Sequence, residues 1–258
     1  MVTYHDIDYP PAGEKRRLHV YLPPGYPQRT GRCPVMYMFD GHNLFHDWEA
    51  TYGTSWGLEG FLDRWAKPLI VVGMECSHHG DDRLREYCPY DTTVVGHRIH
   101  GIGEQTFRWI IDDVKPYVDA TYLTWGHREA TAIGGSSMGG IMSLYGVMAH
   151  NDVFSKAACV STGVGWQLRH FERTLAQSAI DPDTRVYLSW GEAEGGGVPR
   201  GANPATDSRE ARAERRMEAL LGERGARTRL YCQPGGRHCE ADWARQDALF
   251  LDWLWLEG

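Results

Sequence analysis

Short apolar runs, too brief for helices and too continuous for half-exposed strands, recur along this chain and narrow its fold class. Pro34-Val-Met-Tyr-Met-Phe39 and Leu69-Ile-Val-Val72 carry the pattern of strands buried on both faces. Ala130-Thr-Ala-Ile-Gly134, Ser155-Lys-Ala-Ala-Cys-Val160, Arg185-Val-Tyr-Leu-Ser-Trp190 and Arg227-Thr-Arg-Leu-Tyr-Cys232 continue the series. Helical stripes fill the gaps. Phe107, Ile110, Ile111, Val114 and Val118 form one, with Pro116 expected to kink or end it. Ile141, Leu144, Tyr145 and Met148 form a second, Met217, Leu220 and Leu221 a third, and Trp243, Phe250, Trp253 and Leu254 a C-terminal one. Strands alternating with helices predict βαβ units, hence an α/β protein with a mostly parallel central sheet and helices on both faces. Arg16-Arg-Leu-His-Val-Tyr-Leu22 alternates and stops at Pro23-Pro-Gly25, as an edge strand would. Residues 75–103 and 191–206 read as irregular.

Nothing divides the chain: no repeat and no long linker occurs, so residues 1–258 read as one domain. A net charge of −7 lacks the basic footprint of a nucleic-acid binder. No apolar run approaches the roughly 18–20 residues that span a bilayer. Met1-Val-Thr-Tyr-His-Asp6 has neither the basic nor the apolar region of an export signal. The six cysteines include no C-x-x-C pair and read as free thiols. A cytoplasmic protein without cofactor or membrane partner is expected.

Between the third apolar run, at 130–134, and the stripe from Ile141 lies Gly135-Ser-Ser-Met-Gly139, a G-x-S-x-G. A strand-to-helix turn of this composition lifts a serine hydroxyl clear of the backbone, which makes Ser137 the candidate nucleophile. The chain order of such sites is serine, acid, histidine, and His238 is the only histidine after residue 170. It lies in a loop between the last strand and the last helix, where a general base belongs. For the acid, Glu192, Glu194 and more distantly Asp207 compete, and spacing does not separate the first two. Backbone donors for a developing oxyanion are expected at Met138, directly after the nucleophile, and at His42 in Asp40-Gly-His-Asn43, with Asn43 the alternative. Gly41 is expected to bring that backbone close to a substrate. Pocket walls are sought in Asn43, Trp48, Tyr52, Trp56, Arg85 and Tyr87, although Arg83, Arg85, Glu86 and Tyr87 also suit a packed loop network. His78, His79, His97 and His100 lack the H-E-x-x-H arrangement of a zinc site, so no metal is expected.

Five separated blocks occur in an order that resembles one family. They are Met38-Phe-Asp-Gly-His-Asn-Leu-Phe45, Val71-Val-Gly-Met-Glu-Cys76, Arg83-Leu-Arg-Glu-Tyr-Cys-Pro89, Ile133-Gly-Gly-Ser-Ser-Met-Gly-Gly140 and Gly235-Gly-Arg-His238. The chain resembles, over roughly residues 15–256, the Putative esterase branch of the α/β-hydrolases, which includes enterochelin-esterase-like proteins, feruloyl and acetyl-xylan esterase modules and mycolyltransferases. That resemblance implies a single α/β-hydrolase domain without a large cap, and a cofactor-free serine esterase acting on a small-molecule ester. It also implies the Gly-x-x-acid pattern, which Gly191-Glu-Ala-Glu194 matches with Glu194, and an oxyanion donor after Asp-Gly, which falls on His42. Gly195-Gly-Gly-Val-Pro-Arg-Gly-Ala-Asn203 departs from the family pattern. A thioesterase resembling S-formylglutathione hydrolase is a rival reading, disfavoured because Ile141 follows Gly140 where those enzymes carry histidine. A catalytically inactive binding module is a second rival, disfavoured because all three triad residue types are present.

Overall fold

The computed structural model of this chain describes residues 1–94, 97–194 and 203–257. The chain divides into two compact units, Met1–Ile133 and Gly134–Gly258. Strands are interspersed with helices in both, and the protein is of the α/β class.

The first unit contains β1 (Val2–Tyr9), β2 (Glu14–Tyr21), β3 (Val35–Phe39), α1 (Leu58–Leu62), β4 (Ile70–Met74), α2 (Asp82–Glu86), β5 (Thr92–Val94), β6 (His97–Ile99), α3 (Gly103–Trp109) and α4 (Lys115–Thr121). β7 (Thr131–Ser136) begins there and ends in the second unit. β3 and β4 are parallel and buried at every residue, which is why their sequences are uninterrupted apolar runs. β2 is antiparallel to β4 on one side and to β1 on the other. The edge strand expected over 16–22 is therefore an inner strand, and the edge belongs to β1. That strand carries Asp6 and Asp8 on its exposed face and only half-buried side chains on the other until Tyr9. Such charges blunt an edge against further pairing, and they also dilute the alternation by which a strand is recognised.

Two other expectations are revised here. Residues 75–103 are not wholly irregular, since they hold α2 and the antiparallel ribbon of β5 and β6. Pro116 does not end its helical run. A π-helical turn over Ile110–Val114 separates α3 from α4, and Pro116 occupies the first turn of α4, where its missing N–H is least costly.

The second unit contains α5 (Met138–Ala149), β8 (Lys156–Val160), α6 (Leu168–Gln177), β9 (Arg185–Gly191), α7 (Pro204–Asp207), α8 (Arg209–Glu223), β10 (Arg227–Gln233), α9 (Glu240–Trp243) and α10 (Asp247–Trp255). β8, β9 and β10 are successive parallel neighbours. β10 is half-buried along most of its length rather than enclosed on both faces. α5 is buried over almost its whole surface, more than the stripe of Ile141, Leu144, Tyr145 and Met148 predicts. A helix enclosed in this way holds its first turn rigidly. Among the described residues, no helix is long and apolar enough to cross a membrane.

Candidate functional site

Three loops of the second unit, each directly after a strand, bring Ser137, Glu194 and His238 together. Ser137 stands between β7 and α5 with φ 56° and ψ −122°, a conformation rarely adopted by a residue with a side chain. Its amide donates to the Val160 carbonyl of β8 at 2.9 Å, and its own carbonyl accepts from Ile141 at 3.0 Å. One bond ties the turn to the neighbouring strand and the other starts the helix. The hydroxyl is left at the tip.

His238 lies in the turn after β10. Its Nε2 is 2.8 Å from Ser137 Oγ, and its Nδ1 is 3.3 Å from Glu194 Oε2. A proton on Nδ1, facing the carboxylate, leaves Nε2 to accept from the serine hydroxyl. The imidazole is about half exposed at 47%, whereas the Glu194 side chain is 8% exposed. The ring is therefore open to solvent, while the carboxylate is shielded behind it. Trp243 packs its ring edge-on to His238, with centroids 4.9 Å apart. Asp242 braces the same turn by accepting from the Arg237 amide at 2.8 Å and pairing with the guanidinium of Arg245 at 2.9 Å.

The three acids considered from the sequence separate cleanly. Glu192 accepts from the Gly235 amide at 2.9 Å, and so ties its own turn to the histidine turn. Asp207 accepts from the Asn203 amide at 2.9 Å and from Thr206, a local cap on α7. Glu194 alone of the three meets His238. Gly191 explains the tightness of this turn: a Cβ there would sit 2.3 Å from the Gly236 carbonyl oxygen and 2.8 Å from Glu194 Oε1.

Sequence reasoning missed what lies behind Glu194. Ser161, directly after β8, donates its hydroxyl to Glu194 Oε1 at 2.7 Å. α8 adds two carboxyls beneath. Glu210 accepts from the Gly165 amide at 3.3 Å, and burial raises its pKa. Glu214 is fully enclosed and bonds Thr162, and burial pushes its carboxyl from 4.5 up to about 8. The signal available in the sequence was two glutamates four residues apart on an otherwise apolar helix face, which marks a pair turned inward together.

In the first unit, the Asp40–Asn43 loop follows β3. Asp40 is buried in the left-handed region at φ 57° and receives Arg83 Nε at 2.8 Å and Nη2 at 2.7 Å. That bidentate guanidinium holds its carboxyl below the ordinary range despite burial. Tyr87 is buried, and its hydroxyl oxygen accepts from the Asp40 amide at 3.1 Å. Trp56 is buried too, so both brace this unit from within rather than offering a face to solvent. Arg85 is exposed and pairs with Asp82 at 3.2 Å. Asn43 accepts from the Thr51 amide at 2.9 Å. Trp48 and Tyr52 are largely exposed, at 76% and 80%, and Trp48 stacks on His46. Gly41 also meets an internal constraint: a Cβ there would lie 2.6 Å from the Gly73 backbone of β4.

His42 is buried, with Nε2 3.0 Å from Thr51 Oγ1 and its ring edge against His78. Burial pushes its imidazole from 6.5 down to about 4. The unfolded chain then takes up the proton first, so stability should fall as pH drops from 6.5 to 4, by roughly 2–3 kcal/mol for this residue. Urea unfolding at several pH values, compared with His42→Gln, checks this, because the variant should lack that part of the slope. Among the described residues no group of three or more His, Cys, Asp or Glu is placed to hold a metal ion. Of the glycine-rich stretch 195–203 that departs from the family pattern, residues 195–202 lie outside the described residues.

Comparison with known proteins places this geometry in context. The sequence model of the Putative esterase family matches residues 11–249. The uncharacterized protein YbbA of Bacillus subtilis is 28% identical over 184 residues, covering 70% of this chain and 69% of that one. Among solved structures, an IroE-like serine hydrolase from Shewanella oneidensis superposes with a TM-score of 0.74 at 18% identity, over 98% of this chain and 81% of its own. The enterobactin esterase FES from Shigella flexneri superposes with a TM-score of 0.72 at 15% identity, over 98% of this chain and 59% of its own. At those identities the likeness establishes the fold.

Proposed function

Since this chain belongs to the Putative esterase family and is an ester hydrolase, we propose that it works as a serine carboxylic-ester hydrolase through Ser137, Glu194 and His238. On this reading residues 1–258 act as one catalytic domain, a view supported by the family match over 11–249.

The reaction follows from the geometry. His238 Nε2 takes the Ser137 proton as Oγ attacks the ester carbonyl, and the imidazolium that forms is balanced by Glu194 at Nδ1. The oxyanion needs preorganised N–H donors. One is the Met138 amide at the start of α5. Collapse of the tetrahedral adduct passes the proton from His238 to the leaving alcohol. Water then enters by the same route, giving its proton to His238 as it attacks the acyl-enzyme, and His238 returns that proton to Ser137 Oγ as the acid is released. The observation that carries this proposal is the contact series from Ser137 Oγ through His238 to Glu194, at 2.8 and 3.3 Å.

The test is hydrolysis of short-chain nitrophenyl esters together with labelling by a fluorophosphonate, which reacts only with an activated serine. Labelling of Ser137 is expected. An unlabelled, inactive protein would mean an inert hydrolase fold, and faster turnover of thioesters than of oxygen esters would shift the substrate class. A second measurement separates the acids. Glu194→Gln should lower kcat by about 10²–10⁴-fold, because the histidine loses the partner of its charged form. Glu192→Gln keeps an acceptor for the Gly235 amide and should leave kcat within about threefold. Equal losses in the two variants would reject Glu194 as the triad acid.

A further inference from the structure

Ser161 has a combination of features that the fold alone does not require. It directly follows β8, is fully buried, and holds φ 48°, in the left-handed region that favours glycine. Its amide donates to the Ser189 carbonyl of β9 at 2.9 Å, so its position relative to the neighbouring strand is fixed. From that anchored backbone the hydroxyl reaches across 33 residues of sequence to Glu194 Oε1 at 2.7 Å.

The consequence lies at Glu194. A carboxylate has two oxygens, and one of these faces His238 Nδ1. With a side chain 8% exposed, the other must be satisfied from within the protein. Gly191 packs beside that same Oε1, so the carboxylate is confined sterically on one side and bonded on the other. A glycine at position 161 would suit the backbone better and would carry no hydroxyl. Retention of a side chain at a strained φ is the kind of local cost that points to use.

The geometry points to Ser161 as a positioning residue for the acid of the catalytic triad: its hydroxyl fixes which Glu194 oxygen meets the histidine and holds it there. Ser161 touches neither substrate nor the reacting atoms; it acts only through Glu194. This inference rests on the proposed triad.

The experiment uses the full chain and two variants. Ser161→Gly removes the hydroxyl and relieves the backbone, whereas Ser161→Ala removes the hydroxyl and keeps the strain. Both are expected to lower kcat and the fluorophosphonate labelling rate by about ten- to hundred-fold, the effect of one hydrogen bond to a charged group. KM should stay within about threefold. The thermal midpoint of the glycine variant should stay close to that of the parent, because relief of the left-handed φ offsets the lost hydrogen bond, so lost activity cannot be ascribed to lost structure. Should the alanine variant fail to fold, the glycine variant carries the test. Parental kcat in Ser161→Gly would overturn the inference, as would a decline that merely follows the folded fraction. If the parent is labelled and depends on Glu194 while ignoring Ser161, this inference alone is wrong. If the parent is not labelled, the triad reading fails and this inference falls with it.

Discussion

Ser137→Ala should lower kcat for an activated ester by about 10⁴–10⁶-fold, with a thermal midpoint close to that of the parent. The variant removes one oxygen atom and keeps the Cβ at φ 56°, so the backbone strain of the turn is unchanged. Both bonds that hold the turn are made by the main chain, from the Ser137 amide to Val160 and from Ile141 to the Ser137 carbonyl, and alanine makes both equally well. The loss is therefore chemical. Without Oγ no acyl-enzyme forms, and His238 can at best direct water at the ester, a weaker route because the water is not held as the serine is. Two readouts separate this from general damage: fluorophosphonate labelling should vanish, and so should any burst of nitrophenol in the first turnover. Retained labelling, or a loss below about tenfold, would place the nucleophile elsewhere.

How far the sequence disclosed this site depends on what each residue's signal travels through. The place of Ser137 in a strand-to-helix turn was legible because it is written locally, in glycines on either side and in the passage from a buried strand to a helix. His238 was legible by order along the chain. Glu194 needed a family pattern, since only the turn distinguishes it from Glu192: a residue two places earlier reaches the Gly235 amide instead of the imidazole. Ser161 was illegible. It acts through a contact 33 residues distant and through a φ angle that no composition announces. The contact of Gly41 with Gly73 was illegible, because Gly73 reaches it only once β3 and β4 lie side by side. β1 escaped because an edge strand buries too little to enforce alternation. The strands of the α/β fold were readable where burial on both faces dictates every residue, and least readable at the edge.

Glu214→Gln should stabilise the protein, and the gain should grow with pH. Glu214 is enclosed on α8, and Thr162 is the bonded partner of one carboxyl oxygen while the other, Oε2, has none among the described residues. Burial therefore favours the protonated acid and pushes its pKa from 4.5 to about 8. The sign follows from proton linkage. Between pH 4.5 and 8 the unfolded chain releases this proton while the folded protein keeps it, so each rise in pH favours unfolding. The stabilising share of Glu214 is complete below pH 4.5 and is lost as pH climbs through 8. Glutamine has the shape of the protonated acid and cannot ionise in either state, so its stability lacks this dependence. The difference between variant and parent should accordingly increase from pH 5 upward, reach roughly 2–4 kcal/mol by pH 7, and level off above pH 8. Other titrating groups are shared by the two proteins and cancel in the difference. Urea unfolding of both at pH 5, 7 and 9 measures it. A difference that does not change with pH would show that Glu214 is ionised when folded.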